Sequence, residues 1–327
     1  MEALKMNAAV LSGYGGPEKF KFKQVDKPRP KANEVLVKVI ASTASRAESM
    51  LRSGTPYFAR FFTGLNKPKK PILGTGFSGV VEALGSEVKN FKVNDKVFGE
   101  TLFNFSTNAE YITVAQDEFI LALPEIIDPI EAATFCDGHL TSMNFLLAIA
   151  KVQPGEKVLI NGAAGALGTA AIQIAKSMGA EVTGVCSTRN IGFIKSLGAD
   201  HVIDYAKADF TKNTGAYDVI YDTVGLAKFK QAKNALSEQG RFVTPVFNGF
   251  ELFNMIFNSK QMKFAATGME KLPQLKNLMQ KVIETVEAGQ LKTVIDRQFP
   301  LSKIADAHRL IDTGHKRGNL VIINQVN

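Results

Sequence analysis

A glycine-rich turn between a strand pattern and a helix pattern constrains this chain more than any other feature. The segment Lys157–Gly168 reads KVLINGAAGALG, and apolar residues follow at helical spacing as far as Ala175. Small residues let the backbone approach a pyrophosphate closely, and the helix start offers free N–H groups and a positive dipole end. This context favours a dinucleotide site over a tight turn without a ligand. The residues predicted to contact the cofactor here are Gly162, Ala164, Gly165, Ala166, Leu167 and Gly168.

The residues after the second predicted strand of this region favour a phosphorylated cofactor. Sites for NAD usually place an acidic residue about 20 residues beyond the glycine motif, where it binds the ribose 2′-hydroxyl. No acidic residue occurs from Val182 to Ala199. Hydroxyl, guanidinium and amide groups stand there instead, and these suit a 2′-phosphate, so we predict NADPH. The residues concerned are Ser187, Arg189 and Asn190, although Arg189 could also be a solvent-facing charge at a helix start.

Two changes of pattern divide the chain into three regions. Residues 1–123 carry alternating polar and apolar segments such as Glu34–Ile40 (EVLVKVI), which is typical of half-buried strands. From Pro124 onward, short apolar runs alternate with helical stretches, which indicates βαβ units and a parallel sheet. Near Thr293 the pattern becomes strand, helix and strand, with Ser302 placed to cap the helix. The sequence therefore predicts an α/β fold class.

Composition excludes several classes of function. The 327 residues carry a formal net charge of +8, which would allow nucleic-acid binding, but only Lys67, Lys69 and Lys70 form a tight basic group. No apolar run reaches the length of about 18 residues that a membrane span needs, and the opening lacks a signal-peptide pattern. Two cysteines without a CxxC pair provide neither a redox dithiol nor a cysteine-rich zinc site. We expect a cytoplasmic protein that binds neither nucleic acid nor membranes.

Four longer segments carry a family resemblance that covers nearly the whole chain. They are Pro71–Gly99, Val158–Gly168, Val185–Tyr205 and Leu291–Ile322. Together they resemble the medium-chain dehydrogenase/reductase superfamily, in its zinc-independent quinone oxidoreductase (zeta-crystallin-like) branch. The resemblance implies that residues 1–123 and 294–327 form one GroES-like, β-rich catalytic domain.

The same resemblance implies the rest of the layout and two further cofactor contacts. Residues 124–293 would form a doubly wound Rossmann domain that binds NADPH. Tyr205 matches a position near the 2′-phosphate, and Asn319 matches a position near the nicotinamide. A strand-end role for Tyr205 and a turn role for Asn319 remain equally good explanations.

The ligands that hold catalytic zinc in other members of the superfamily are missing from this sequence. Those enzymes carry a cysteine near Ala44–Glu48 and a Gly-His-Glu motif. Here the first segment contains no cysteine, and the second reads Gly74-Thr75-Gly76. The four-cysteine structural lobe is also absent, so we predict no metal site.

Candidates for catalysis are few. Quinone oxidoreductases often show Asn-x-x-Asp before Arg-x-Gly, where this chain has Ser45 and Glu48 before Arg52. These three residues are the catalytic candidates, with Glu48 as a conceivable proton donor and Arg52 as either a ligand or a surface or interdomain charge. His139 lies in a helical segment that borders the cleft in the family, whereas the other histidines do not cluster.

We expect hydride transfer from NADPH to a small-molecule acceptor, a quinone or an α,β-unsaturated carbonyl, without a metal. The alternative is an NADPH-binding sensor, scaffold or crystallin-like protein with little catalysis. The apolar segment Val243–Phe257 predicts a homodimer, unless it is a loop that covers the cleft. The aromatic segment Pro56–Leu65 (PYFARFFTGL) would either line the substrate entrance or bury in the domain core.

Overall fold

Both ends of the chain build one compact unit, and the middle builds a second. The computed structural model describes residues 4–246 and 261–324. Met1–Asp137 and Ile295–Asn327 make up the first unit, and Gly138–Val294 makes up the second. The strands are β1 Lys5–Leu11, β2 Phe20–Asp26, β3 Glu34–Ala44, β4 Gly76–Leu84, β5 Lys96–Glu100, β6 Tyr111–Ala115, β7 Ile120–Ala122, β8 Lys157–Asn161, β9 Glu181–Cys186, β10 His201–Asp204, β11 Tyr217–Asp222, β12 Leu236–Thr244, β13 Met262–Phe264, β14 Ile295–Pro300 and β15 Asn319–Ile323.

The helices are mostly short outside the second unit. The described α-helices are α1 Arg46–Ser53, α2 Arg60–Thr63, α3 Pro129–Ala132, α4 Thr141–Met143, α5 Ala166–Ser177, α6 Ile191–Ser196, α7 Phe229–Ala232, α8 Leu272–Glu287 and α9 Ile304–Asp312. The helix predicted after Ser302 begins at Ile304, and Lys303 caps it without a side-chain hydrogen bond. Ser302 instead lies inside a 3₁₀ turn, so its predicted capping role is wrong.

A seven-stranded sheet forms the frame of the first unit, in the order β14-β15-β3-β4-β5-β7, with β6 also paired to β3. The alternation in EVLVKVI places Val35, Val37 and Val39 in a buried cluster with residues of β4 and β6. The last strand, β15, lies between β14 and β3, parallel to the former and antiparallel to the latter. The C-terminal strand is therefore an interior strand of this sheet.

Six parallel strands form the sheet of the second unit, in the order β10-β9-β8-β11-β12-β13. This is the 3-2-1-4-5-6 order of a dinucleotide-binding doubly wound fold. Val158, Leu159 and Ile160 of β8 are completely buried, as expected for a central parallel strand covered on both faces. All six strands end at one edge, and the glycine turn after β8 lies there.

The chain passes from the first unit to the second within a π-helix, Phe135–Leu140, and a second π-helix, Asn144–Ile149, follows after α4. The sequence pattern predicted only a helical segment here, because a π-turn adds one residue per turn without a residue-type signature. No α-helix among the described residues is both long and apolar enough to cross a membrane.

Candidate active site

The turn after β8 gives each glycine of the motif a different structural role. Gly162 has a φ of 79°, a left-handed conformation that favours glycine, and it reverses the chain at the strand end. A Cβ atom on Gly168 would lie 2.3 Å from the carbonyl oxygen of Gly162, so only glycine lets α5 pack this closely on the turn. Gly165 differs, because a Cβ atom added to it would have no neighbouring atom closer than the Gly162 carbonyl oxygen, at 3.5 Å. The space in front of Gly165 is therefore open.

The start of α5 faces this open space. Gly165 is the residue before the helix, and no side chain caps the helix there. The first N–H groups of a 12-residue helix are thus available, together with the positive end of its dipole. A tight turn, an open backbone approach and a close helix contact are the three uses of glycine in a pyrophosphate site. The residues present therefore fit a dinucleotide.

The residues predicted to hold the 2′-phosphate lie together after β9. Arg189 and Tyr205 are exposed to solvent, and the Tyr205 side chain is 60% exposed. Asn190 is buried, and its amide donates a hydrogen bond to the Ser187 hydroxyl at 3.2 Å. The structure therefore brings together a cation, a phenol and a hydroxyl at the carboxyl ends of β9 and β10.

Sequence reasoning missed an acidic residue in this group, Asp204. The Thr188 hydroxyl donates to its carboxylate at 2.5 Å, and the Ala206 N–H donates at 3.0 Å. The Thr188 hydrogen bond in particular lowers the pKa of Asp204, so this carboxylate stays ionised. The sequence feature that could have revealed Asp204 is its position as the last residue of β10. Because β10 runs parallel to β9, an acidic residue at the end of β10 lies beside the end of β9.

A second missed carboxylate, Asp222, holds the loop after β11. It is completely buried and accepts hydrogen bonds from the Asn161 side chain at 2.9 Å and from the Ala227 N–H at 2.8 Å. Burial raises the pKa of Asp222. The loop it fixes approaches the glycine turn, where Val224 Cγ1 would lie 2.7 Å from a Cβ on Gly162.

Arg52, one of the three catalytic candidates, is a buried structural cation. Its side chain is 3% exposed and donates to the Asp312 carboxylate at 2.7 Å, to the Gly15 carbonyl at 2.6 Å and to His308 Nδ1 at 3.3 Å. Arg52 and Asp312 also line a cavity of about 350 Å³. The surface position expected as one alternative for Arg52 is wrong.

The other two candidates lie at the start of α1. Ser45 caps this helix by accepting a hydrogen bond from the Glu48 N–H at 3.1 Å. Glu48 is buried and accepts from the Asn108 amide, while its Oε2 atom lies 3.7 Å from His308 Nε2. The structure therefore gives Ser45 a local role and joins Glu48 to the cluster around His308.

Asn319 and His139 are both buried, in different units. Asn319 opens β15 in the first unit and is 3% exposed. His139 belongs to the second unit, where its Nε2 atom lies 3.5 Å from the Thr293 hydroxyl. Their expected contacts with cofactor or substrate stay predictions.

Three charged residues gather at another place in the first unit, and no sequence pattern pointed to them. Glu100 ends β5, Asp137 lies in the first π-helix, and Lys316 precedes β15. All three side chains are half-buried. Burial and the neighbouring charge of Asp137 raise the pKa of Glu100 to about 7.

The aromatic segment near the start of the chain is exposed. Tyr57, Phe61 and Phe62 are 72%, 73% and 78% exposed. Burial of these rings in the domain core, one of the two expected outcomes, is therefore wrong. Exposed apolar area of this kind is typical of a surface that binds something.

Within 4–246 and 261–324, no group of three or more His, Cys, Asp or Glu residues is placed to hold a metal ion. Thr75, at the place of the metal motif, hydrogen-bonds Glu100 instead. The predicted dimer segment, Val243–Phe257, lies largely outside the described residues.

Comparison with known families accounts for both units. The profile of the alcohol dehydrogenase GroES-like domain matches residues 31–125, and that of a zinc-binding dehydrogenase matches residues 197–322. A chloroplastic quinone-oxidoreductase homologue of Spinacia oleracea is 33% identical, over 98% of this chain and 99% of its own.

Two further relatives agree with that match. A chloroplastic NADPH-dependent alkenal/one oxidoreductase of Arabidopsis thaliana is 29% identical over 97% of this chain and 79% of its own. The structure of the quinone oxidoreductase from Coxiella burnetii superposes with a TM-score of 0.88 at 30% identity, covering 98% of this chain and 100% of that one. With the glycine turn and strand order described above, these matches identify the chain as a nicotinamide-dependent oxidoreductase of the medium-chain dehydrogenase/reductase superfamily, in its quinone oxidoreductase branch.

Proposed function

We propose that this protein transfers a hydride from NADPH to an electron-poor acceptor, a quinone or an α,β-unsaturated carbonyl, without a metal. The observation that carries the proposal is the open space in front of Gly165, at the start of α5, where no side chain caps the helix. Arg189 and Tyr205 are exposed just after β9 and β10, the next two strands along the sheet. The first unit would be the catalytic domain and the second the cofactor domain.

The preference for NADPH rests on charge. An exposed guanidinium and phenol flank the end of β9, where an enzyme for NAD would present a carboxylate to the ribose. A nearby carboxylate, Asp204, is already engaged by Thr188 and Ala206. The name of the Arabidopsis relative, an NADPH-dependent oxidoreductase, supports the same choice.

The chain's own residues would bind and orient the cofactor. The N–H groups at the start of α5 would hold the pyrophosphate, and Ser187, Arg189 and Tyr205 the 2′-phosphate. When bound, the nicotinamide supplies the hydride. Positioning it against the acceptor carbon is the main contribution expected of the protein.

The acceptor class rests on the exposed aromatic segment and on the relatives. Ligand sites are mostly apolar and aromatic with few polar groups, and Tyr57, Phe61 and Phe62 would provide such a wall. The relatives from Spinacia oleracea and Arabidopsis thaliana are named a quinone-oxidoreductase homologue and an alkenal/one oxidoreductase. Flat, apolar acceptors with conjugated carbonyls suit both facts.

The deciding experiment measures NADPH consumption with a panel of enones, quinones and aldehydes, before and after exhaustive chelation. We expect turnover with conjugated carbonyls or quinones that chelation leaves unchanged. Turnover that zinc restores after chelation would contradict the metal-free proposal. NADPH binding without turnover of any acceptor would favour the alternative, a sensor, scaffold or crystallin-like protein.

We also propose a homodimer that pairs the second unit through the edge of its sheet at β13. Sedimentation at micromolar concentration tests it, and a monomer there would contradict it. The cytoplasmic location stays a prediction.

A further inference from the structure

A short helical stretch of the first unit exposes its apolar side chains to solvent. Tyr57–Ala59 forms a 3₁₀ turn that continues directly into α2, Arg60–Thr63. Phe58, Phe61 and Phe62 have the spacing i, i+3 and i+4, which places them on one face of the stretch. Phe58 is 50% exposed, and the other two rings are more than 70% exposed. We call these three side chains the aromatic face.

The opposite side of the same stretch is fixed to the first unit through Tyr14. Arg60 Cζ lies 4.5 Å from the centre of the Tyr14 ring, and Arg60 Nε donates to the Gly54 carbonyl at 2.9 Å. The Tyr14 hydroxyl donates to the Gly64 carbonyl at 2.7 Å and lies 2.8 Å from the Thr63 hydroxyl. Because Arg60 and Thr63 lie on the side away from the phenylalanines, these contacts hold the aromatic face toward solvent.

Basic side chains follow the aromatic face. The range from Ser49 to Val81 contains no acidic residue. The Lys69 N–H donates to the Thr63 carbonyl at 2.8 Å, so the chain turns back on the end of α2 and keeps Lys67 and Lys69 close to it. Both lysines are exposed. The surface is therefore apolar with positive charge at one end.

An exposed aromatic face with lysines beside it is complementary to the surface of an anionic lipid bilayer. At such a surface, apolar rings enter the boundary between headgroups and acyl chains, and lysines are attracted to the negatively charged headgroups. A second copy seated on the same face would bring the lysines of both copies together, and this repulsion opposes association.

Single-stranded nucleic acid is the other ligand that combines rings with cations. Proteins that bind it stack bases on rings along a basic groove that follows the strand. Here Lys67 and Lys69 lie at one end of the helix, and the aliphatic side chain of Leu65, 61% exposed, extends the apolar area. An aliphatic side chain adds contact with acyl chains but cannot stack on bases, so the surface favours lipid.

We propose that the aromatic face, with Lys67 and Lys69, docks the protein on the surface of a bilayer that contains anionic lipid. The inference goes beyond the proposed function and does not depend on it. The expectation of no membrane binding rests on the lack of a segment that could span a bilayer, and a helix that lies flat at the surface needs no such segment. Apolar acceptors partition into bilayers, so docking would bring the protein to the place where they dissolve.

Co-sedimentation with vesicles tests the docking on the cofactor-free protein, without any acceptor. Vesicles of equal parts phosphatidylserine and phosphatidylcholine, the mixed vesicles, should bind the wild type. Vesicles of phosphatidylcholine alone should bind it at least about tenfold more weakly, and added salt should weaken binding to the mixed vesicles. A wild type that sediments with neither kind of vesicle would overturn the proposal.

Two double variants separate the apolar contribution from the charged one. Phe61→Ala with Phe62→Ala, and Lys67→Gln with Lys69→Gln, should each lower the affinity for the mixed vesicles at least about tenfold. All four side chains are exposed, so both proteins should melt with the wild type. Affinity that is unchanged in both double variants would contradict docking through this surface.

The matched control removes the same charge elsewhere on the first unit. Lys89 and Lys92 are also exposed and lie outside the surface described above. Lys89→Gln with Lys92→Gln should change the affinity less than about twofold. A loss equal to that of Lys67→Gln with Lys69→Gln would mean that vesicles respond only to the net charge of the protein, which would contradict the proposed site.

A single fluorophore reports whether the rings enter the lipid. The chain contains no tryptophan, so Phe61→Trp introduces a unique one. Its emission should move to shorter wavelength with the mixed vesicles, because the ring passes from water into the bilayer interface. Ile126→Trp, at a residue that is 73% exposed, should keep its emission. Vesicle binding without a shift in Phe61→Trp would overturn docking by the aromatic face.

The remaining outcomes assign the surface to another role. A mixed-sequence single-stranded oligonucleotide that quenches the Phe61→Trp emission, while vesicles leave it unchanged, would indicate a nucleic-acid surface and overturn the proposal. If vesicles do not bind but turnover of soluble enones needs Phe61 and Phe62, the rings are an acceptor wall, and the proposed function stands without the docking. If vesicles bind but no acceptor is turned over, the docking stands and the proposed function fails.

Discussion

A Cβ atom on Gly168 would clash with the carbonyl oxygen of Gly162 at 2.3 Å, whereas one on Gly165 would meet nothing within 3.4 Å. Gly168→Ala should therefore lower the melting temperature, because neither backbone segment can give way. Gly165→Ala should melt with the wild type but bind NADPH at least about tenfold more weakly, because the methyl group fills the pyrophosphate approach. Calorimetry and fluorescence titration measure the two effects. Equal loss of stability in both variants would contradict the division of roles.

Arg189→Ala should reduce the preference for NADPH over NADH. A hydrogen bond to a charged group is worth roughly 1.5–3 kcal/mol, so the ratio of dissociation constants should fall at least about tenfold. Lys212→Ala, which removes another exposed cation of the same unit, should leave the ratio unchanged. Equal affinity for both cofactors in the wild type would refute the choice of NADPH.

Changing Phe61 and Phe62 together to alanine should raise KM for bulky enones and leave the melting temperature nearly unchanged. Both rings are more than 70% exposed, so their removal leaves no cavity. Ile126→Ala, at an equally exposed apolar residue, should change neither quantity. An early melting transition with an unaltered KM would instead mean that the rings stabilise the fold.

Arg52→Met should destabilise the first unit by about 2–3 kcal/mol, because it leaves Asp312 and the Gly15 carbonyl without their charged donor. Thermal unfolding measures this loss. The exposed neighbour Arg46 provides the control, and Arg46→Met should stay within about 0.5 kcal/mol of the wild type. If the Arg52→Met protein is as stable as the wild type but has a raised KM, Arg52 binds substrate and is not a structural cation.

Glu100→Gln should make the protein relatively more stable as the pH rises from 5 to 8. The pKa of Glu100 is raised from 4.5 in the unfolded chain to about 7 in the folded protein. Protonation of Glu100 therefore stabilises the fold fully below pH 4.5, and this contribution to the free energy of unfolding is lost as the pH rises through about 7. Glutamine cannot ionise and escapes this loss. Melting temperatures at both pH values measure the effect, and Glu125→Gln, at an exposed residue, should show no such trend.

Local patterns predicted the cofactor turn, whereas the charged clusters escaped prediction. The strand, turn and helix of Lys157–Ser177 follow from adjacent residues, and so do the alternating strands of the first unit. Arg52 and Asp312 lie 260 residues apart, and nothing near either residue signals their ion pair. The same holds for Glu100, Asp137 and Lys316, which only the packing of the sheet and the π-helix brings together.

The place of β15 between β14 and β3 has a consequence for how the protein is made. The second unit has all its strands once residue 294 has left the ribosome, so it can fold during synthesis. The first unit cannot complete its sheet at that stage, although most of its chain emerges earlier. Its strand β3 pairs with β15, which is made almost 280 residues later. Until β15 is made, the Ala41–Ala44 end of β3 lacks its partner strand, and this interval is when chaperones and aggregation would compete for the nascent chain.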